Sequence, residues 1–316
     1  VIPSFGRRRG RTLARLAAVA LTATLTGSTA SAALADSPTP SDAARRQAVA
    51  APEHAPAAAG TTHTTPFFLV LECVDRRGSL FMYAPDGTGN FGPRDKIFDG
   101  DDIPDFKYLR AAAQVDSDKD GYGDATYHWM NNGALSYTYT AADDKVKTRA
   151  IGGGWQIYSK VFSPGDVAGA RASDILAVDK SGVLWLYQAR TDGTLTARIR
   201  VGAGWGGYTQ FAGQGDLTGD GRADLVARDK AGVLWLYKGT GNAKAPFSAR
   251  TRIGAGWNGY NYLHSSGDVN GDGVADLLGR VGNGSLYLYE GTGKASAPFA
   301  KPVKVRGSYG SYRLIF

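Results

Sequence analysis

Residues 215–225 read GDLTGDGRADL, with Asp216, Thr218 and Asp220 at alternate positions around Gly219 and Gly221. Asp224 closes the run just as an apolar segment begins. Standing alone, a short Asp/Gly run is a solvated turn. Four oxygen-bearing side chains this close together gain a second meaning only if the pattern recurs.

It does recur. The segment from Tyr208 to Gly259 is repeated from Tyr260 onward, where GDVNGDGVADL takes the place of the opening stretch. Upstream copies begin at Tyr158 and, more divergently, at Tyr108. The first Asp of each loop falls at 116, 166, 216 and 268, a period of 50 to 52 residues. Each copy parses as a short apolar strand, the Asp/Gly loop, two strands of the ADLVAR and GVLWLY type, and a TARIRVG-like strand leading to a G-x-G-W-x-x-Y joint. In Val183–Tyr187 both faces are apolar, as expected of a sheet packed between other sheets. Four short strands in about 50 residues describe a propeller blade.

The ends of the repeat array complement each other. LECVDRRGSLFMY (71–83) falls on LVARDKAGVLWLY (225–237) without a gap, and YRLIF (312–316) matches only a first strand. The last strand can therefore complete the sheet begun near residue 66, which closes the ring and argues against an open solenoid. The predicted fold is an all-β propeller of about five four-stranded blades over 66–316. Its repeats lie near 66–107, 108–157, 158–207, 208–259 and 260–316.

The rest of the chain sets the context. Arg7, Arg8, Arg9, Arg11 and Arg15 precede an apolar, Ala- and Thr-rich stretch, the layout of a secretory signal peptide over 1–35. Ala33-Leu34-Ala35 and Ala30-Ser31-Ala32 compete as cleavage sites, and the paired arginines leave Sec and twin-arginine export both open. Without those five arginines the net charge of +7 falls to about +2, too little for a nucleic-acid footprint. Residues 36–65 read as a disordered Ala/Pro/Thr-rich linker, and His54 and His63 as solvated residues within it. Cleavage would leave no membrane span, and the chain is expected to be secreted and extracellular. A single cysteine, Cys73, precludes an internal disulfide. The period aligns it with Ala177, Ala227 and Gly279, a small buried strand position.

Three loops carry alternating oxygens. Asp116, Asp118, Asp120 and Asp124 occupy positions 1, 3, 5 and 9, as do Asp216, Thr218, Asp220 and Asp224, and Asp268, Asn270, Asp272 and Asp276. Glycine at position 6 lets the backbone turn, and the carbonyl at position 7 (Tyr122, Arg222, Val274) can join the set. Six or so hard oxygen ligands suit Ca²⁺. An EF-hand is excluded, because position 12 is Tyr127, Ala227 or Gly279 and both flanks read as strand. In the fourth loop, Ala168 and Ala170 stand at positions 3 and 5, so Asp166 and Asp174 alone are expected to hold no ion. About three structural calcium ions are predicted.

The loop set in this blade pattern resembles the FG-GAP/VCBS repeat family of integrin α-like propellers, over essentially all of 66–316. The resemblance implies a calcium-loaded binding module. No G-x-S-x-G, H-E-x-x-H or P-loop is present, and the regularly placed acids are taken up by the loops, so no enzyme is expected. Trp155, Trp205, Trp257 and Tyr309 recur at the joints among glycines that could leave a ring face accessible. They are candidate ligand-binding residues for a lectin-like, carbohydrate-binding role, against the alternative that residues repeated in every blade pack the blades. Trp185, Trp235 and Tyr287 are assigned to the core. The two partner classes are an extracellular glycan and a secreted or cell-surface protein, the latter with the chain as an adhesion or targeting subunit of a larger assembly such as a toxin or hydrolase complex.

Overall fold

Alternation of large apolar residues over four to eight positions, broken by glycine turns, commits this chain to short antiparallel strands. The computed structural model describes residues 69–141, 145–170 and 172–316. The segments expected to be a signal peptide and a linker, with His54 and His63, lie outside the described residues. Among the described residues, twenty strands form five four-stranded antiparallel sheets. The first complete blade holds β4 (Leu109–Val115), β5 (Ala125–Met130), β6 (Leu135–Thr140) and β7 (Val146–Gly152). The second holds β8 (Tyr158–Gly165), β9 (Asp174–Asp179), β10 (Leu184–Tyr187) and β11 (Ile199–Gly202). The third holds β12 (Tyr208–Ala212), β13 (Leu225–Asp229), β14 (Leu234–Tyr237) and β15 (Thr251–Gly254). The fourth holds β16 (Tyr260–His264), β17 (Leu277–Val281), β18 (Leu286–Tyr289) and β19 (Val303–Lys304).

The fifth blade is composite, as the complementary fragments predict. β20 (Tyr312–Ile315) pairs with β1 (Leu71–Asp75), which continues into β2 (Leu80–Tyr83) and β3 (Asp95–Phe98). Cys73 lies opposite Ile315 and Val74 opposite Leu314, and Glu72 and Phe316 exchange backbone hydrogen bonds at 2.7 and 2.8 Å.

Five apolar clusters lie between the blades, one at each boundary around the ring. Strand β10 shows how one segment serves two of them. Leu184 and Leu186 are fully buried toward the third blade, while Trp185 and Tyr187 pack toward the first. The innermost strands β4, β8, β12, β16 and β20 surround a cavity of about 270 Å³. Cys73 is buried in the cluster between the fourth blade and the composite blade, and burial pushes its thiol well up. It behaves as the small interior residue that its alignment with Ala177 and Ala227 predicts.

Candidate functional site

The Asp loops join the first and second strands of four blades. In three of them the position-1 carboxylate organises the backbone in the same way. Asp116 accepts from the N–H of Lys119 at 2.7 Å and of Gly121 at 2.9 Å. Asp216 accepts from Gly219 at 2.7 Å and Gly221 at 2.6 Å, and Asp268 from Gly271 and Gly273, both at 2.6 Å. The N–H at position 7 turns back onto the position-5 carboxylate in all three: Tyr122 to Asp120, Arg222 to Asp220 and Val274 to Asp272. Alternate side chains are thereby gathered on the concave side of a tight loop.

Position 9 has a different task. Asp224 and Asp276 are fully buried and take backbone N–H groups on both oxygens. Leu217 and Gly239 donate to Asp224, and Val269 and Gly291 to Asp276. These carboxylates tie the loop to the exit of the third strand, leaving positions 1, 3 and 5 as the outward cluster. In the first complete blade, carboxylate oxygens of Asp116, Asp118 and Asp120 lie within 4.8 Å of one another, with Asp118 and Asp120 exposed. Burial pushes Asp116 up to about 7, opposed by the Gly121 N–H and reinforced by Asp120 and Asp118. Burial likewise raises Asp276 to about 7 and Asp224 to about 6. Carboxylates crowded this closely are a donor set that suits a hard divalent cation. The loop of the third blade is the poorer set, because Thr218 replaces an acid and Lys238 Nζ lies 2.9 Å from Asp220.

The joint aromatics are placed otherwise than an accessible ring requires. Trp155, Trp205 and Trp257 are 7, 8 and 8% exposed and Tyr309 is 1% exposed. Gly154, Gly204 and Gly256 adopt φ of +87, +92 and +90° and open a 3₁₀ turn that folds the indole inward. Each ring lands on the tyrosine ending the third strand: Trp155 on Tyr187, Trp205 on Tyr237 and Trp257 on Tyr289, with centroids 4.7 to 4.8 Å apart. The backbone N–H of each donates to a hairpin glycine of the preceding blade: Trp155 to Gly133, Trp205 to Gly182, Trp257 to Gly232 and Tyr309 to Gly284. Guanidinium groups hold the joint carbonyls as well. Arg280 donates to Tyr309 and Tyr312, Arg228 to Trp257 and Tyr260, and Arg110 to Trp155 and Tyr158. These four aromatics pack the blades together and present no ring face to a ligand.

The strand aromatics depart from expectation in the opposite sense. Trp185 and Trp235 are half-buried at the edge of the core clusters and not enclosed in them. Arg198 lies 4.1 Å above the Trp185 ring and Arg250 4.0 Å above that of Trp235. Each indole N–H donates to an aspartate at 2.9 Å, Asp179 or Asp229. Arg198 and Arg250 also donate to the hydroxyls of Tyr158 and Tyr208. Tyr287 is half-buried too, but Pro302 stands where the repeat would place an arginine. The signal for these clusters is present in the sequence: TARIRVG (196–202) and SARTRIG (248–254) share A-R-x-R-x-G, and an aspartate lies six residues before each Trp.

The axial cavity offers Lys160, His264, Gln114 and Gln214 but no carboxylate among its lining residues, so no pair of acids faces a cleft there. Burial pushes His264 down to about 4.

Residues 216–279 match the FG-GAP-like repeat family model. No curated protein matches the chain by sequence. Among solved structures, human WBSCR16 is similar at 10% identity and a TM-score of 0.34, with 75% of this chain covering 65% of that one. The chain thus spans just under two thirds of that protein. Prp20p from Saccharomyces cerevisiae is similar at 9% identity and a TM-score of 0.39, over 76% of both chains. BBS1N, solved in complex with ARL6DN, is similar at 11% identity and a TM-score of 0.35, over 79% of this chain and 68% of that one. Likenesses this distant carry no functional information. The chain is a five-bladed β-propeller with an FG-GAP-like repeat at residues 216–279.

Proposed function

We propose that the chain is a secreted recognition module, braced by structural calcium in three of its Asp loops, whose ligand is a carbohydrate. The observation that carries this reading is the cluster of half-buried indole, guanidinium and carboxylate repeated on two successive blades, at Trp185–Arg198–Asp179 and Trp235–Arg250–Asp229. A sugar has an apolar C–H face that suits an indole, and hydroxyls that suit charged donors and acceptors at its rim. Repetition at blade spacing multiplies a weak single contact. Calcium is supported by the three clustered carboxylates of the first complete blade and by the matching loop architecture of the third and fourth. Among the described residues, the exposed large hydrophobics are Tyr108, Ile157 and Val303, which is little for a protein-docking face.

The test is a glycan and cell-wall polysaccharide array with the calcium-loaded chain and with Trp185→Ala and Trp235→Ala. Each variant is expected to keep its fold and to bind roughly tenfold more weakly, as loss of one aromatic contact of about 1 kcal/mol plus avidity predicts. A silent array with folded protein would sink the carbohydrate reading and turn attention to a protein partner. Chelation should weaken binding only in step with loss of folded signal, since the ions are assigned to the scaffold.

A further inference from the structure

The loop of the second blade lacks side-chain oxygens at positions 3 and 5, yet it keeps the shape of the others. Ala168 and Ala170 donate their N–H groups to Asp166 at 3.2 and 2.9 Å. Val167 and Ala168 donate theirs to Asp174 at 2.9 and 2.8 Å. Two carboxylates remain inside a loop with no acid to share a metal, and Asp174 Oδ1 is buried without a hydrogen-bond partner among the described residues.

A positive charge arrives from the neighbouring blade. Lys119 Nζ lies 2.5 Å from Asp166 Oδ2 and donates to the Ala170 carbonyl at 2.8 Å. Both side chains of the ion pair are about four-fifths shielded, at 22 and 18% exposure. The ammonium therefore contacts the carboxylate of position 1 and the backbone oxygen of position 5 in the loop where the side-chain donors are missing.

The origin of that lysine is the second observation. Lys119 is position 4 of the loop in the first complete blade. The other loops have glycine there: Gly169, Gly219 and Gly271, with φ of +75, +76 and +83°. Lys119 adopts the same left-handed backbone at +64° and is the one non-glycine residue with positive φ among the described residues. A side chain is disfavoured in that conformation. The glycine rule is thus broken only in the loop whose neighbour has lost its acids.

We infer that the loop 166–174 is a cation site whose cation is the protein's own Lys119 ammonium, delivered across the blade boundary in place of a free ion. A lysine suits the task, being a compact charge on a flexible stem with three donors. The arrangement also couples two adjacent loops: whatever orders 116–124 orders the stem that neutralises 166–174. As far as it concerns ion counts, this inference rests on the calcium reading above.

Ion counting by equilibrium dialysis at saturating calcium, on the full chain, tests it. Ala168→Asp/Ala170→Asp/Arg171→Gly restores the acids and the glycine of position 6. With Lys119 in place, this triple variant is expected to bind no more ions than the parent; with Lys119→Gly added, the count rises by one. A gain while Lys119 is still present would overturn the inference, and so would no gain in the quadruple variant with the circular dichroism of the folded parent. A second arm runs in chelator and needs no calcium. Lys119→Met should lower the melting temperature by several degrees, and most of that loss should vanish in an Asp166→Asn background. An unchanged melting temperature, or an equal loss in both backgrounds, overturns the inference. A parent that binds no calcium sinks the calcium reading alone, and the chelator arm then decides for Lys119.

Discussion

The aromatic residues at the joints and those in the third strands recur with the same period, yet their surroundings are opposite. Trp205 sits under the ring of Tyr237 and is almost wholly enclosed, whereas Trp235 is half-buried beneath a guanidinium. Glycines are responsible for the first placement. Gly204 does not bare the neighbouring indole; its left-handed backbone turns the chain so that the ring is driven inward. The second follows from strand geometry, since Leu234 and Leu236 take the fully buried face and leave Trp235 the shallower one. Recurrence marks a place in the blade. Whether that place is wet depends on which side of the strand faces the deeper cluster.

Substitutions at these positions can break this contrast. The largest effect is expected at a joint: Trp205→Ala should lose about 3–5 kcal/mol, as large-to-small core changes do, while Trp235→Ala stays within about 1 kcal/mol. Denaturant midpoints of the two variants decide it, and equal losses would erase the distinction. A step down, Arg280→Ala removes a donor to the carbonyls of Tyr309 and Tyr312. A loss of about 1–3 kcal/mol is expected from those charge-assisted bonds, and an unshifted midpoint would mean that the rings alone hold that joint. Taken per pH unit, the most gradual effect appears in the pH dependence. Burial pushes His128 down to about 4, against a free value near 6.5. The unfolded chain therefore binds the extra proton between those values, so stability is full above about pH 6.5 and falls as pH drops toward 4. His128→Asn should flatten that slope by up to about 1.4 kcal/mol per pH unit. Parallel slopes for parent and variant would show that His128 is wetter than the joints.

Much of the fold was legible from register alone. The Asp loops, the two-faced strand Val183–Tyr187 and the complementary fragments at 71–83 and 312–316 lead to a closed ring, because each is a local pattern repeated at fixed spacing. The absence of side-chain oxygens at Ala168 and Ala170 could be read in the same way. What repeats cannot convey is contact between different repeats. Lys119 belongs to one blade and acts in the next, and nothing in its own segment says where a four-carbon stem will end. The choice between packing and ligand binding at the joint tryptophans stays open in the sequence for a related reason, since their burial is set by Tyr187, Tyr237 and Tyr289 on strands elsewhere in the chain. Arg198 and Arg250 recur visibly, but a pair of arginines in edge-like segments reads as solvated until the rings beneath them are located.

The pairing of β20 with β1 builds one blade from strands far apart in sequence, while the other four are each contiguous. Circular permutation makes the meaning of that offset concrete. Linking Phe316 to Leu69 and reopening the ring at the Gly204 joint would give the same blades, each built from contiguous sequence, with no strand left to stitch the first sheet to the last. As the sequence stands, one blade waits for residues 312–315, so ring assembly and completion of that sheet become a single event.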